Sequence, residues 1–305
     1  MTHIVVVGSL NMDLVVRTAH LPMPGETILG DDFRTIPGGK GANQAVAAAR
    51  LGARVSMVGR IGEDAFGRAL VQNLSEEGVD VTHIAVDEDA ATGIAMITVD
   101  ESGQNTIVVA SGANMRLTTA QVVAALEALA PFDVLVMQLE SPIECVLAAA
   151  VWAHKAGARV ILNPAPAQPL PQELFHVIDV LIPNESETQL LTGMTVATIA
   201  QAEDAARALL SRGAGAVVLT LGAQGALVVD KDVQALHLRP HSVEAVDATA
   251  AGDAFVAGLA VGLGEKLPLA EAARLGNAAG ALAVTRMGAQ PAMPTRQEVQ
   301  ALSEV

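Results

Sequence analysis

Short apolar stretches alternate with longer stretches of helical periodicity along most of the chain. Buried strands are predicted at residues 4–9, 55–62, 133–139, 158–164, 179–184 and 216–222. Helices are predicted at residues 38–52, 64–78, 118–130, 143–157, 185–193 and 202–214, with two more around 269–284 and 295–304. This alternation is typical of βαβ units, so we predict an α/β fold with a mostly parallel central sheet and helices on both faces.

Two segments depart from this alternation. Residues 14–37 contain three prolines and alternate like exposed strands, and residues 92–113 have the pattern of a hairpin that turns near 101–105. We predict that strands from about 14–37 and 92–112 form a small lid, the alternative being decoration of the sheet edge. No linker or charge run divides the chain, which predicts a single α/β domain over residues 1–305.

Composition narrows the class of protein. Hydrophobic residues make up 51% of the chain but aromatic residues only 2%, which favours a core of small side chains with helices packed on a buried sheet. The net charge of −15 argues against a nucleic-acid or anionic-membrane partner. A phosphorylated ligand would therefore need backbone N–H groups, a metal or a few placed cations.

The single cysteine excludes an intrachain disulfide and fits a cytoplasmic location. Cys145 lies in a helical pattern, which predicts a buried structural thiol rather than a nucleophile. The N-terminal residues lack a basic leader and are predicted to form a strand, and no apolar run approaches the roughly 18 residues that span a bilayer. We expect a soluble protein.

Polar residues follow the first predicted strand. Asn11 and Asp13 are two positions apart, so they can face one side and bind the hydroxyls of a polyhydroxylated ligand, although an Asx turn explains them equally well. Glycines 38, 39 and 41 open the helix that follows. They suit close approach of a ligand or a plain structural turn, and Lys40 is not followed by the Ser or Thr of a Walker A loop.

Two later segments also combine polar or small residues with a helix start. Asn184, Glu185 and Glu187 follow a strand, where the acids either stabilise the helix N-terminus or organise water around Mg²⁺. Residues 250–252 place consecutive unobstructed N–H groups at the start of the helix in 247–264, which predicts an anion site. Asp253 in that turn is either a helix cap or a catalytic base.

Together these stretches resemble the PfkB carbohydrate kinase family over essentially the whole chain. The resemblance rests on GGKGAN (38–43) and DATAAGDAF (247–255), roughly 200 residues apart, and on NMD (11–13), PNE (183–185), TLGAQG (220–225) and VTRMGAQPAMP (284–294). It implies a three-layer α/β sandwich with a β-strand lid. Ala250, where many members carry Gly, favours the branch that phosphorylates ribose; Ala248 replaces a common Thr and Ala292 a frequent Ser.

The resemblance also implies roles for individual residues. Asp253 would be the general base acting on the primary 5-hydroxyl of D-ribose, with ATP as donor and the backbone N–H groups of Ala250, Ala251, Gly252 and Asp253 as anion hole. The sugar would be held by Asn11, Asp13, Gly38, Gly39, Lys40, Gly41, Asn43, Glu140 and Asp253. The nucleotide would lie against Asn184, Thr220, Gly222, Gly225, Gly252 and Asn277.

Two cations and a dimer are implied in the same way. Mg²⁺ would bridge the phosphates near Glu187, through water. A monovalent cation, K⁺, would be held by Asp247 and by the backbone carbonyls of Thr249, Ala283, Arg286, Gly288 and Ala292. The chain would form a homodimer through the lid.

Two rival functions stay open. The first is a kinase of the same fold for another sugar or nucleoside, such as deoxyribose, fructose or pseudouridine. The second is a sugar-binding regulator without activity, whose signature would be loss of the base; Asp253 is present, which argues against it.

Overall fold

The computed structural model describes residues 1–231 and 234–303. Its strands are β1 (His3–Val7), β2 (Asn11–Thr18), β3 (Gly30–Gly38), β4 (Arg54–Gly62), β5 (Asp80–Asp87), β6 (Gly93–Val99), β7 (Asn105–Ala110), β8 (Val134–Met137), β9 (Arg159–Leu162), β10 (Val180–Leu181), β11 (Ala216–Thr220), β12 (Ala226–Asp230) and β13 (Leu236–Leu238). Its helices are α1 (Lys40–Arg50), α2 (Ala65–Glu76), α3 (Thr119–Leu129), α4 (Ile143–Ala156), α5 (Gln172–Phe175), α6 (Glu185–Thr192), α7 (Ile199–Ser211), α8 (Ala251–Gly264), α9 (Leu269–Ala283) and α10 (Arg296–Ser303).

A nine-stranded sheet forms the centre, in the order β13-β12-β11-β10-β9-β8-β1-β4-β5. The strands from β11 to β5 in that order run parallel, whereas β12 runs antiparallel to both of its neighbours, β11 and the edge strand β13. Ile4 and Val6 pack into the core under α1, α8 and α9, while Val5 and Val7 pack into the core under α3, α4 and α7. The strands are thus buried on both faces, which confirms the predicted α/β fold with three layers.

Small residues let the helices of one layer pack closely. A Cβ on Gly258 of α8 would come within 2.8 Å of the Cα of Gly276 on α9, and one on Gly262 within 2.7 Å of the Cα of Ala272. The backbones of α8 and α9 nearly touch, which leaves no room for large side chains between them and fits the low aromatic content of the sequence. The predicted buried thiol of Cys145 is confirmed, because the residue is fully buried on α4 and burial raises its pKa to about 11.

A second, smaller sheet has the order β3-β2-β6-β7, which we call the small sheet. It joins strands from the two segments that depart from the α/β alternation, and β6 and β7 form the predicted hairpin. The parallel pairing of β2 with β6 connects the two segments. The alternative of simple sheet-edge decoration is wrong, because these strands do not extend the central sheet.

Several elements differ from the pattern-based prediction. Strands β5, β12 and β13 and the short α5 were not predicted. The strand predicted at 179–184 is only two residues long, since Pro183 has no N–H to donate to a neighbouring strand and Asn184 already caps α6. Helix α7 begins at Ile199 rather than 202, because Thr198 caps it by accepting from the N–H of Gln201.

The predicted C-terminal helix, 295–304, corresponds to α10, and residue 304 lies outside the described residues. Across residues 1–231 and 234–303, none of the helices combines the length and apolar character that crossing a membrane requires.

Candidate active site

Helices α1 and α8 begin close together at the carboxyl ends of β1 and β8, where open α/β sheets bind ligands. Gly39, with φ of 89°, is the N-cap of α1. A Cβ on Gly39 would lie 2.6 Å from the Asn11 nitrogen, and one on Gly41 2.6 Å from the Ser9 nitrogen. The glycines are therefore needed for packing the turn against the β1–β2 connection, whatever else the turn binds.

Asn11 is buried and held in one orientation. Its Oδ1 accepts from Asn114 Nδ2 at 2.8 Å, and its Nδ2 points to Glu140 Oε2 at 3.5 Å. Asn114 is fixed in turn because it also bonds both backbone groups of Leu10. The Asx-turn alternative for Asn11 is excluded, since its side chain bonds to distant residues rather than to its own turn.

Acidic groups converge beside Lys40. Glu140 Oε2 accepts from Ser9 Oγ at 2.5 Å and from the Lys40 N–H at 3.2 Å. Burial, followed by the charges of Glu140 and Asp253, raises the pKa of Asp13 to about 7. Burial lowers the pKa of Lys40, but Asp253, Glu140 and Glu187 outweigh it, so the net shift is upward and the ammonium is retained.

Asp253 lies in the first turn of α8 and is only 6% exposed. Its Oδ2 accepts from Asn43 Nδ2 and its Oδ1 from Gln44 Nε2, both at 2.9 Å. Burial raises its pKa above the usual range, although Lys40 and the two amide donors oppose that shift. The N-cap of α8 is Ala250, so the helix-cap reading of Asp253 is wrong: its carboxylate bonds to α1 instead.

The start of α8 lines a cavity of about 230 Å³ beside Asp253. Among the described residues, a Cβ on Gly252 would meet no atom within 4 Å beyond its own helix backbone and chain neighbours. Packing within the protein therefore does not require glycine at position 252, whereas a ligand bound close to the start of α8 would. The first helical bond is that of the Ala254 N–H to Ala250, which leaves the N–H groups of Gly252 and Asp253 without a helical acceptor.

The other two members of the predicted anion hole are placed differently. The Ala251 N–H donates to the Ala248 carbonyl at 3.3 Å inside the turn. Ala250 lines the cavity and has φ of 58°, a left-handed conformation that costs a residue with a Cβ roughly 1–2 kcal/mol. A strained residue at the mouth of a cavity is a frequent feature of functional sites.

The predicted nucleotide residues are only partly brought together. Asn184, Thr220 and Gly252 line the cavity. Gly222 has φ of 50° and open space around it, whereas a Cβ on Gly225 would lie 2.1 Å from the Leu238 carbonyl, so packing alone explains Gly225. Asn277 on α9 donates to the Arg239 carbonyl at 2.8 Å and is not among the residues that line the cavity.

Glu187 lines the same cavity and is nearly buried. Its two oxygens accept from the backbone N–H and the Nδ2 of Asn184, both at 2.9 Å, and Asn184 Oδ1 accepts the Glu187 N–H. This capping box confirms that Asn184 and Glu187 stabilise the start of α6. Each carboxylate oxygen keeps a free lone pair, so the residue also fits a role in ordering water around Mg²⁺.

Asp247 joins two turns at the entrance of α8. Its Oδ1 accepts from the Thr249 N–H and Oγ1, and its Oδ2 accepts from the Gly288 N–H at 2.8 Å. Burial raises its pKa, but these hydrogen bonds dominate and the net shift is downward, which keeps the carboxylate charged. Within the described part of the chain, no group of three or more His, Cys, Asp or Glu is placed so that it could hold a metal ion.

Five buried or half-buried residues of the site were not predicted. They orient the predicted ones: Ser9, Gln44, Asn114, Gln138 and Asn163. A signal existed for Gln138, because it is a polar residue directly after the apolar strand β8. Gln44 also follows Asn43 within the glycine-rich motif, on the buried side of α1.

This site sits in an α/β sandwich with a second β-sheet, and its chemistry is that of a phosphotransferase: a buried carboxylate, a lysine and an open helix N-terminus around one cavity. The fold and the site define the class of α/β small-molecule kinases.

Comparison with known proteins narrows that class. A family model described as pfkB family carbohydrate kinase matches residues 1–296. The ribokinase of Haemophilus influenzae is 45% identical over 293 residues, 96% of this chain and 95% of that protein. The deoxyribokinase of Salmonella typhi is 38% identical over 254 residues, 83% of each chain. The structure of Arabidopsis thaliana ribokinase complexed with ribose and ATP has a TM-score of 0.92 and 34% identity, with both chains fully covered. The chain belongs to the pfkB family of carbohydrate kinases.

Proposed function

We propose that the protein is an ATP-dependent ribokinase, which transfers the γ-phosphoryl group to the primary 5-hydroxyl of D-ribose and releases ribose 5-phosphate and ADP. The observation that carries the proposal is the placement of Asp253: a buried carboxylate held by two amides, next to the unobstructed helix start at Gly252. The full-length similarity to ribokinases supports ribose as the acceptor.

The chemistry follows from the site. Asp253 takes the proton of the 5-hydroxyl as its oxygen bonds to the γ-phosphorus, and the bond from that phosphorus to the bridging oxygen of ADP breaks. The N–H groups of Gly252 and Asp253 and the Lys40 ammonium face the charge that develops on the transferring group. The raised pKa of Asp253 brings the base closer to the operating pH than an ordinary carboxylate would be.

The sugar lies between α1 and the small sheet in this proposal. Asn11, Asp13, Lys40, Asn43 and Glu140 supply donors and acceptors for its hydroxyls, and Gly38, Gly39 and Gly41 give it room along the backbone. Deoxyribose lacks one hydroxyl of ribose, so its binding would leave a buried acceptor of the site unpaired and would be weaker. The Asn11–Asp13 pair therefore favours ribose over deoxyribose. Deoxyribose remains the principal alternative, given the similarity to a deoxyribokinase.

The nucleotide phosphates occupy the cavity beside Asn184 and Thr220, with Gly222 on the open side of its turn. Mg²⁺ bound to ATP would neutralise phosphate charge and would be held through water near Glu187. K⁺ would be held by Asp247 and by the carbonyls of Thr249, Ala283, Arg286, Gly288 and Ala292, where it would strengthen the positive potential at the anion hole.

The small sheet serves as a lid and as the dimer interface in this proposal. Its strands leave large apolar side chains exposed on one face: Phe33, Met96 and Val108, which the strand register places on the same side, are 56–66% exposed. Monomeric proteins rarely expose an apolar surface of this kind on neighbouring strands, whereas a second copy of the chain would cover it.

An ATP-coupled assay over a panel of pentoses, hexoses and nucleosides tests the function. We expect ribose to give the highest kcat/KM, above deoxyribose, fructose and pseudouridine. Asp253→Asn should lower kcat by about 10²–10⁴-fold, and Asp204→Asn, the same change on the exposed face of α7, should leave it unaltered. Near-normal turnover of Asp253→Asn would show that Asp253 is not the general base. Ribose binding without any turnover by the wild type would favour the regulator.

A further inference from the structure

The carboxylate of Asp253 is oriented by a chain of side-chain amides that ends on a backbone carbonyl. Gln44 Nε2 donates to Asp253 Oδ1 at 2.9 Å and to Asn163 Oδ1 at 3.2 Å. Asn163 Nδ2 donates to the Ile182 carbonyl at 2.9 Å. On the other side, Gln138 Nε2 donates to Gln44 Oε1 at 2.6 Å. We call Gln138, Gln44 and Asn163 the amide relay.

The Ile182 carbonyl, at which the amide relay ends, determines which group donates and which accepts in each of its hydrogen bonds. The Ile182 carbonyl can only accept, so Asn163 must present its NH₂ group there and its Oδ1 to Gln44. Gln44 must then present its NH₂ group to Asn163, and the same group faces Asp253. Its Oε1 is left toward Gln138, which supplies a donor. Asp253 therefore receives a donor and never an amide oxygen.

The orientation of these amides matters because Gln44 and Gln138 are buried. Gln44 is 1% exposed and Gln138 is fully buried, so water cannot replace a reversed amide. Gln138 Oε1 has no hydrogen-bond partner among the described residues, and a Cβ on Gly8 would lie 2.0 Å from it. A buried amide with one unsatisfied end costs stability, which indicates that its bonded end has a function.

We propose that Gln138 and Asn163 are positioning residues for phosphoryl transfer: through Gln44 they hold the Asp253 carboxylate in its reactive orientation and guarantee that it meets a donor. The inference rests on the proposed function of Asp253 as the base. Neither the Gln138 nor the Asn163 side chain bonds Asp253 directly, so both act through Gln44.

The test compares two substitutions of nearly equal size at Gln138. Gln138→Met removes one bond but leaves the direction of Gln44 fixed by Asn163, and we expect kcat to fall by less than about tenfold. Gln138→Glu places an acceptor against Gln44 Oε1 and favours the reversed amide, which turns an oxygen toward Asp253. We expect kcat to fall roughly a hundredfold, with KM for ribose changed by less than about threefold, as for a misplaced catalytic group.

The charged form of Asp253 becomes less favourable when it loses its donor, so the acidic limb of kcat/KM against pH should move to higher pH in Gln138→Glu and stay in place in Gln138→Met. The charged and titratable groups that face Asp253 are Lys40 on α1, Asp13 on β2, Glu140 after β8 and Glu187 on α6, and both variants keep them. A carboxylate at position 138 also repels that of Asp253, so Asn163→Leu, which adds no charge, separates loss of the fixed donor from charge repulsion.

A readout independent of turnover separates this inference from the proposed function. Carbon-13 NMR of labelled aspartate, with Asp253 assigned from Asp253→Asn, measures the pKa of the carboxyl directly. We expect that pKa to rise in Gln138→Glu relative to Gln138→Met, even if the wild type turned over no sugar. Equal kcat, pH profiles and carboxyl pKa values in the two variants would overturn the inference.

Asn163→Leu covers the case in which a charge at position 138 prevents folding. Asn163 is half-buried at the cavity, so the substitution is tolerated more easily, and it removes the link to the Ile182 carbonyl. We expect Asn163→Leu to be folded, as judged by a cooperative thermal unfolding transition. Its kcat should be at least tenfold lower, and the pKa of the Asp253 carboxyl should be raised. An unchanged kcat and carboxyl pKa in a folded Asn163→Leu protein would overturn the inference as well.

Discussion

Asn43 Nδ2 lies 2.9 Å from Asp253 Oδ2, so that one buried hydrogen bond joins two glycine-rich segments separated by 210 residues. The bond places the first turns of α1 and α8 against each other, with the carboxylate between them. In the proposed mechanism the sugar side and the phosphate side of the site thus share one residue, and a change in either turn would displace the same carboxylate.

Gly252→Ala should separate activity from folding. A Cβ at this position meets no other side chain, and replacing a helical glycine by alanine stabilises a helix by about 0.5–1 kcal/mol. The added methyl group would enter the space that we propose for the ATP phosphates. We expect an unchanged or slightly higher Tm and a loss of about a hundredfold or more in kcat/KM for ATP, measured by calorimetry and steady-state kinetics.

The matched control lies on the same helix. A Cβ on Gly262 would come within 2.7 Å of the Cα of Ala272, so Gly262→Ala should lower Tm while the KM values of the surviving enzyme stay normal. Full activity of Gly252→Ala would show that the cavity beside α8 does not bind the phosphates.

Asp13→Asn should stabilise the free protein and weaken sugar binding. The pKa of Asp13 is about 7 in the folded chain and about 4 when unfolded. Folding therefore takes up a proton between these values, and the carboxyl destabilises the fold progressively from pH 4 to 7 and fully above. Because each pKa unit corresponds to about 1.4 kcal/mol, we expect a stability gain of up to about 4 kcal/mol at pH 8 and less at pH 5, measured by denaturant unfolding.

The same titration should govern ribose binding. The wild-type KM for ribose should rise as the pH falls through about 7, because Asp13 gains a proton and loses an acceptor. In Asp13→Asn the KM should be high at all pH values and lack this dependence. A variant that kept both the wild-type KM and its pH profile would remove Asp13 from the sugar site.

Much of the fold could be predicted because the central strands are apolar on both faces and the helices are capped by recognisable residues. The edge strands β5 and β13 were missed, since half-exposed or three-residue strands carry little pattern. The glycine-rich and polar motifs predicted where α1 and α8 begin. The structure was needed to decide whether Asp253 caps its helix or is available as a base. The amide relay was missed because its residues are 94 and 119 positions apart, and only the tertiary fold orients their side chains.

The small sheet should make the protein a dimer in solution. Val108 on β7 is 66% exposed and lies directly opposite Met96 on β6, which is 56% exposed. We expect a dimer by sedimentation velocity and dissociation to monomers in Val108→Asp, because a charge in an apolar interface is costly. Leu190→Asp, at a 48% exposed apolar position on α6, is the control and should stay dimeric. A wild-type monomer at micromolar concentration would exclude this interface.

Potassium should activate the enzyme through Asp247. Its carboxylate ties the Thr249 turn at the start of α8 to the Gly288 turn, so a cation bound there stabilises the anion hole. We expect kcat to rise with K⁺ at constant ionic strength more than with Na⁺, and Tm to rise with it, since a ligand present at a hundred times its Kd stabilises by about 2.7 kcal/mol. Asp247→Ala should abolish both responses. Asp100→Ala, which removes a similar Asx turn at the β6–β7 hairpin, should keep them. Equal activity in sodium-only, potassium-only and cation-depleted buffers would exclude the cation site.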